Sequence, residues 1–383
     1  MKAKSIKGKS PEEIQKALHV CMVDGFQPTL AIVFLSVAQD RKAISKLLNE
    51  NNVVVFGATT CGEFIDSQYS NEGTAVLLLE ISPALFSLFY EAEAKEDTRV
   101  KARKMAEKAM KKYKNPAFIV SGSGLRVDGE FVIRGIEDAA GKDTIIYGAL
   151  AGDDLKMQET FVFANDKFSN QGIVMLAFDG DKIAFKGRAT CGIQGVGTLK
   201  TITKAEDWWI QTIDDQPALG LISKYMGLKI EKKEGISPIP PEYTTTYPMV
   251  LHRDKGDPVI RPVLMFNYDN GSVMSNGKVE QGSKIQLSLP PDFEIIDEVV
   301  NDCKEVKKNE LPEADALIMF SCVGRLSALG PLISDEIEGV HDTFNAPMAG
   351  FFSYGEFGRA TNGNHEYHNL TCCWVALKEK TSS

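Results

Sequence analysis

Gly57-Ala58-Thr59-Thr60-Cys61-Gly62-Glu63-Phe64 and Gly350-Phe351-Phe352-Ser353-Tyr354-Gly355-Glu356-Phe357 share one spacing, G-x-x-x-x-G-E-F, far apart in the chain. A looser copy, one residue shorter, is Gly148-Ala149-Leu150-Ala151-Gly152-Asp153-Asp154. The flanks turn this match into a repeat. A short apolar run precedes each glycine loop, at 53–56, 144–147 and 346–349. Before that run, Ile44, Leu47 and Leu48, then Val132, Ile136 and Ala139, then Ile333, Ile337 and Val340 fall at helical spacing. Earlier still lies an apolar strand ending in serine (Ser36, Ser121, Ser321), and a further helical pattern upstream of it. After each loop, Ser70-Asn71-Glu72-Gly73, Ser169-Asn170-Gln171-Gly172 and His368-Asn369-Leu370-Thr371 introduce a closing strand.

The chain therefore reads as an α/β protein. Repeated helix-strand-helix-strand-strand units, at about 11–82, 97–179 and 290–378, form mixed sheets flanked by helices. The region 181–288 breaks the pattern. It carries Gly192, Gly195 and Gly197, prolines at 238, 240 and 241, and a hairpin signal at Asp269-Asn270-Gly271, and reads as a β-rich insertion covering the third unit. Two domains are expected, 1–205 with two units and 206–383 with the β-rich segment and the third unit.

Composition excludes several classes. A formal charge of −9 disfavours nucleic acid. No run approaches the ~20 apolar residues of a membrane span, so no membrane insertion is expected. Seven cysteines, an odd number without a C-x-x-C, favour reduced thiols and a cytoplasmic location.

A strand-helix-strand step favours a parallel pair, and ligands of α/β sheets bind at the carboxyl ends of the strands. That places the serines beside the glycine loops. Glu63 and Glu356, each after a glycine (Gly62, Gly355), could accept hydrogen bonds from a ligand ammonium or hydroxyl. Ser321-Cys322-Val323-Gly324-Arg325 offers a guanidinium suited to a carboxylate, and Tyr354 a hydroxyl. The ligand-binding candidates are Ser321, Cys322, Arg325, Tyr354, Gly355, Glu356, Asn369, Gly62 and Glu63, around a small anionic or zwitterionic ligand held where the third unit meets the insertion. No metal site is expected. Cys322 could stand as a nucleophile beside Arg325, but no hydrolase or P-loop signature accompanies it, and the chain is read as a binding protein rather than an enzyme.

These motifs resemble the FIST family (F-box and intracellular signal transduction proteins). Residues 53–64 and 70–79 look like its N-terminal region, and 316–325, 346–357, Asn369 and Thr371 like its C-terminal region. The resemblance implies a sensor of amino acids or similar metabolites. Relatives are often fused to an output domain; none is expected here, so a separate signalling partner is implied. Some proteins of this type are haem-based nitric-oxide sensors. Haem needs an axial ligand, for which His365 and His368 are the candidates, although no C-x-x-C-H is present.

Overall fold

The structure, a computed structural model, describes residues 1–92, 96–229 and 234–380. In unit one an edge strand (Lys2–Gly8) leads through helix Pro11–Met22 to a central strand (Leu30–Leu35). Helix Arg41–Glu50 then leads to a loop strand (Val54–Thr59), and the return strand Thr74–Glu80 closes the unit. Local chemistry starts these helices: Ser10 Oγ accepts the Glu13 N–H with Pro11 in the first turn, and the Asp40 carboxylate accepts from Lys42 and Ala43. Unit two repeats the order with Phe86–Glu91, Thr98–Met110, Pro116–Gly122, Gly129–Ala140, Ile145–Leu150 and Ile173–Asp179. Unit three does so with Ile183–Thr190, Glu294–Asn309, Ala316–Cys322, Ile333–Phe344, Met348–Ser353 and Cys372–Glu379. Central and loop strands run parallel in all three, as the crossover pattern implied.

Each unit also opens with an edge strand that the helical periodicity does not announce. In unit three this strand, Ile183–Thr190, pairs with Cys372–Glu379, so the insertion begins after it rather than at 181. Residues 195–288 build a nine-stranded sheet around helix Ala218–Tyr225, with a core of its own that includes Ile202, Ile222, Phe266 and Ile285. The expected division at 205/206 runs inside one of its strands, Gly195–Glu206.

The glycine loops do not close on their own units. After the loop of unit one, the hairpin Glu63–Ile65/Gln68–Ser70 adds to the sheet of unit three beside Met348–Ser353. The hairpin of unit two, Val162–Ala164/Lys167–Ser169, adds to the sheet of unit one beside Val54–Thr59. That of unit three, Glu356–Arg359/His365–His368, adds to unit two beside Ile145–Leu150. The exchange is cyclic, and it explains the motif. Phe64 lies opposite Gly350, Phe163 opposite Gly57 and Phe357 opposite Gly148. A Cβ at Gly57 would sit 2.1 Å from the Phe163 ring, and one at Gly350 2.2 Å from the Phe64 ring. Gly57 and Gly350 thus make room for a hairpin delivered by another unit, whereas at Gly148 a Cβ would meet the Val120 backbone of the neighbouring strand.

Strand alternation gives each sheet two apolar faces. Leu30, Ile32 and Phe34 point, with Ile119, Phe320, Phe351 and Val375, into one core shared by the three sheets. Phe34, Phe320 and Phe351 meet there at centroid separations of 4.6–6.0 Å. Ala31, Val33 and Leu35 face outward to the helices of unit one, and units two and three have matching outer cores.

The motif glutamates pin the exchanged hairpins. The fully buried Glu63 carboxyl accepts from Thr60 Oγ1 (3.0 Å), Ser70 Oγ (3.0 Å) and the Gly73 N–H (2.7 Å). Glu356 repeats this with Ser353 Oγ (2.6 Å) and the Thr371 backbone. Burial pushes Glu63 up to about 7, against these hydrogen bonds, which act in the opposite direction.

Two outcomes follow. Gly350→Ala should lower unfolding free energy by about 1–3 kcal/mol in urea titrations, through the clash with Phe64. A group whose pKa is raised on folding stabilises fully below its unfolded value and loses that contribution as pH rises through the folded one. The share due to Glu63, on the order of 3 kcal/mol, should fade between about pH 4.5 and pH 7. Urea midpoints across this range should flatten in Glu63→Gln; an unchanged slope would remove Glu63 as the cause.

Candidate functional site

Strand register decides which residues of the three units correspond. Leu35, Gly122 and Ser321 oppose Thr59, Leu150 and Phe352 in the parallel ladders. The next residues, Ser36, Ser123 and Cys322, each donate a backbone N–H to the return loop, at Gly73 O, Gly172 O and Thr371 O (3.0–3.1 Å). The equivalent strand-end positions are therefore Ser36, Ser123 and Cys322, which corrects the alignment of Ser36 with Ser121 and Ser321. Ser321 is buried one step earlier, its Oγ 3.3 Å from Glu336 Oε1.

In unit three the strand end gathers Cys322, Glu356 and Asn369, all buried, with Tyr367 beside them. Burial first, and Glu356 second, push the Cys322 thiol well up. Burial likewise holds Glu356 far above the usual carboxylate range. A nucleophilic thiolate requires the opposite shift.

The three loops converge on a second point. Loop one contributes Cys61, unit two contributes Asp153 and loop three Tyr354, whose hydroxyl donates to the Asp153 carboxylate. Backbone hydrogen bonds stitch the loops together: Cys61 N–H to Phe352 O (2.8 Å), Gly152 N–H to Thr59 O (2.8 Å) and Leu150 N–H to Gly355 O (2.8 Å). Gly62 takes the turn at φ 113°, where a side chain would be strained. Asp153 also accepts from the backbone N–H groups of Met157, Gln158 and Glu159. Tyr354 is thus engaged within the chain, and burial raises the Cys61 thiol.

Arg325 is 1 % exposed and holds a carboxylate of the protein itself. Its Nε lies 3.0 Å from Glu336 Oε2, and Nη2 donates to the same oxygen. Nη1 donates to Cys191 O (2.8 Å) and Leu370 O (3.3 Å), and Nη2 to Ile295 O (3.3 Å). Every nitrogen of the guanidinium is committed internally, so the expected grip on a ligand carboxylate is not available to this side chain. Removing one partner of such a pair leaves an uncompensated buried charge. Arg325→Ala should cost about 3–5 kcal/mol in unfolding free energy by urea titration.

A cleft of about 460 Å³ opens close by, between the insertion, helix Gly129–Ala140 of unit two and the exchanged hairpin of unit three. Its walls carry five cations, Arg134, Lys142, Arg253, Lys255 and Lys278, and five carboxylates, Glu130, Glu137, Asp254, Glu280 and Glu366. Arg253 grips Glu366 through Nε (2.8 and 3.0 Å). The fully buried Arg261 lies beneath, 3.3 Å from Glu130 Oε1 and 3.1 Å from Tyr367 O. Burial raises the Glu130 and Glu137 carboxyls. Tyr367 lines the cleft and lies between it and the Cys322–Glu356–Asn369 group. These wall residues come from separate segments, so no local spacing marks them, and in the run His365-Glu366-Tyr367-His368 only the histidines stand out as a sequence signal. A larger groove of about 1090 Å³ on unit one, beside Val53 and Phe168, carries fewer charges, Lys42 and Lys46 with Glu50 and Asp166.

The histidines do not fit haem. Burial keeps both neutral, pulling His365 down to about 3 and His368 to about 4. His368 Nε2 is 3.2 Å from Gly358 O, and His365 stands edge-on to Tyr147. The cleft that His365 borders is walled by charge, whereas a macrocycle needs an apolar slot beside an open axial ligand. Among the described residues, no group of His, Cys, Asp and Glu is arranged to hold a metal ion, and no helix is long and apolar enough to cross a membrane.

No curated protein matches the chain. Two family models do: that of the FIST N domain over residues 29–216, and that of the FIST C domain over 218–359. The first runs from the central strand of unit one through unit two into the insertion; the second runs from the insertion through the third glycine loop. FIST domains are associated with sensory roles in signal transduction. With both domain models matched in tandem over most of its length, the chain belongs to the FIST family.

Proposed function

We propose that this chain is a cytoplasmic ligand-binding sensor, not an enzyme, that takes a small zwitterionic metabolite such as an amino acid into the 460 Å³ cleft. The observation that carries this reading is the balance of charge on the cleft walls. A wall of one sign would select a simple anion or cation. Walls of both signs, brought together from three parts of the chain, suit a molecule that carries a carboxylate and an ammonium at once. The volume falls in the range of small-molecule sites, about 300–1,000 Å³. Arg253 and Lys278 would take the carboxylate, and Glu137 and Glu280 the ammonium. The site so proposed lies among the insertion, the unit-two helix and the hairpin of the third unit, with Arg253 rather than Arg325 taking the carboxylate. A separate protein would read the occupied state. The free cysteines, several deeply buried, suit a reducing compartment.

Calorimetric titration of the purified protein against a panel of amino acids, their amides and their decarboxylated amines tests this reading. Zwitterions should bind, and loss of either charge should weaken binding by tenfold or more, about 1.4 kcal/mol. Arg253→Ala and Lys278→Ala should each weaken it comparably without loss of fold. A panel in which no zwitterion binds, or an Arg253→Ala protein that binds at full strength, would sink the assignment.

A further inference from the structure

We infer that the insertion is a hinged jaw: it pivots where it leaves unit three, its pivot is fixed by Arg325, and the charged cleft is its mouth. The inference begins with connectivity. The insertion has its own core and joins the rest of the chain only through 191–194 and 289–293. Gly192 takes a positive φ of 78° in the first crossing, and Pro290 and Pro291 stiffen the second. The two crossings lie side by side, lining a common crevice.

Arg325 ties down the points from which both crossings depart. It donates to Cys191 O, directly after the edge strand Ile183–Thr190, and to Ile295 O, in the first turn of helix Glu294–Asn309. Glu336, on the next helix of unit three, holds the guanidinium in place. One buried side chain therefore fixes the base of the insertion while leaving the insertion itself untouched. This gives a function to the Ser321–Arg325 motif that ligand contact does not.

Further contacts join the insertion to units two and three. Val250 and Ile260 meet Ile193, Cys322 and Leu370 in a small apolar patch, Thr245 approaches Gly324, and Gly256 lies against Gly363. Helix Pro241–Thr246 also packs on helix Val323–Leu329, Arg261 donates to Tyr367 O and faces the Tyr367 ring, and ion pairs add to these contacts. Arg261–Glu130 is buried at the cleft floor, whereas Arg253–Glu366 and Arg134–Glu280 span its part-exposed mouth. Where so many of the contacts joining two bodies are polar or charged, relative motion is the expectation. Charged pairs near solvent are also exchangeable: a ligand carboxylate can replace Glu366 on Arg253, and a ligand ammonium can replace Arg134 beside Glu280. Occupancy then resets which pairs hold the jaw, and so where the jaw stands. The use of the jaw as a readout rests on the proposed ligand; its mobility does not.

The test places spectroscopic labels, through non-natural residues, at exposed Glu206 on the insertion and exposed Lys111 on unit two, and reads their distance distribution by pulsed dipolar spectroscopy. In the ligand-free protein, the double variant Arg253→Ser/Arg134→Ser, and separately the otherwise unsubstituted protein at about 1 M salt, should shift and broaden the distribution. Distributions identical to those of the low-salt protein in both arms would overturn the jaw, whatever binds. A shift in these arms with none on adding zwitterions would leave the jaw standing and remove the ligand reading. A shift in all arms supports both.

Discussion

The reciprocal fit of a glycine in one unit against a hairpin from another is the constraint on which this architecture depends. Each sheet has a paired interior only because a neighbour supplies its last two strands. The Gly–Phe contacts set the register of that docking, and Glu63 and Glu356 lock the hairpins to the return loops behind them. A ring of three such exchanges fixes the mutual orientation of three sheets around one apolar core. It also draws Cys61, Asp153 and Tyr354 together where the loops meet.

Much of this was legible in the sequence because repetition is a property of sequence. The helix, strand and loop order, the parallel pairs and the insertion follow from periodicity and glycine placement. Other features left no local trace. A three-residue strand such as Glu63–Ile65 is too short to show alternation, and nothing in its composition says which sheet it joins. Residue type is a poor guide to equivalent strand ends, because ladder register, not chemistry, sets them. Ser121 and Ser321 are alike in chemistry, yet hydrogen bonds to the return loop single out Ser123 and Cys322.

Arg325 shows the same limit at the site. The motif around it reads as a binding loop, and the guanidinium does bind a carboxylate, but the carboxylate is Glu336, eleven residues on and in the next helix. Sequence reveals a cation just after an apolar strand; only tertiary structure reveals that it is buried and what answers its charge. The cleft residues, Arg253, Lys278, Glu137 and Glu366 among them, come from three regions that meet only after folding. Each half of the family's tandem arrangement contributes a wall, so neither domain alone holds the complete mouth.

The cyclic exchange has a consequence for synthesis. During translation the hairpin of unit one emerges long before its acceptor strand, Met348–Ser353, some 280 residues later. At ribosomal speeds of about 5–20 residues per second, that strand pair stays unclaimed for roughly 15–60 s. Unit one can accept the hairpin of unit two in the interval, but its own stays unpaired until Met348–Ser353 is made. Closure of the ring therefore waits on the third unit, and the earlier strands must be kept from pairing elsewhere until then.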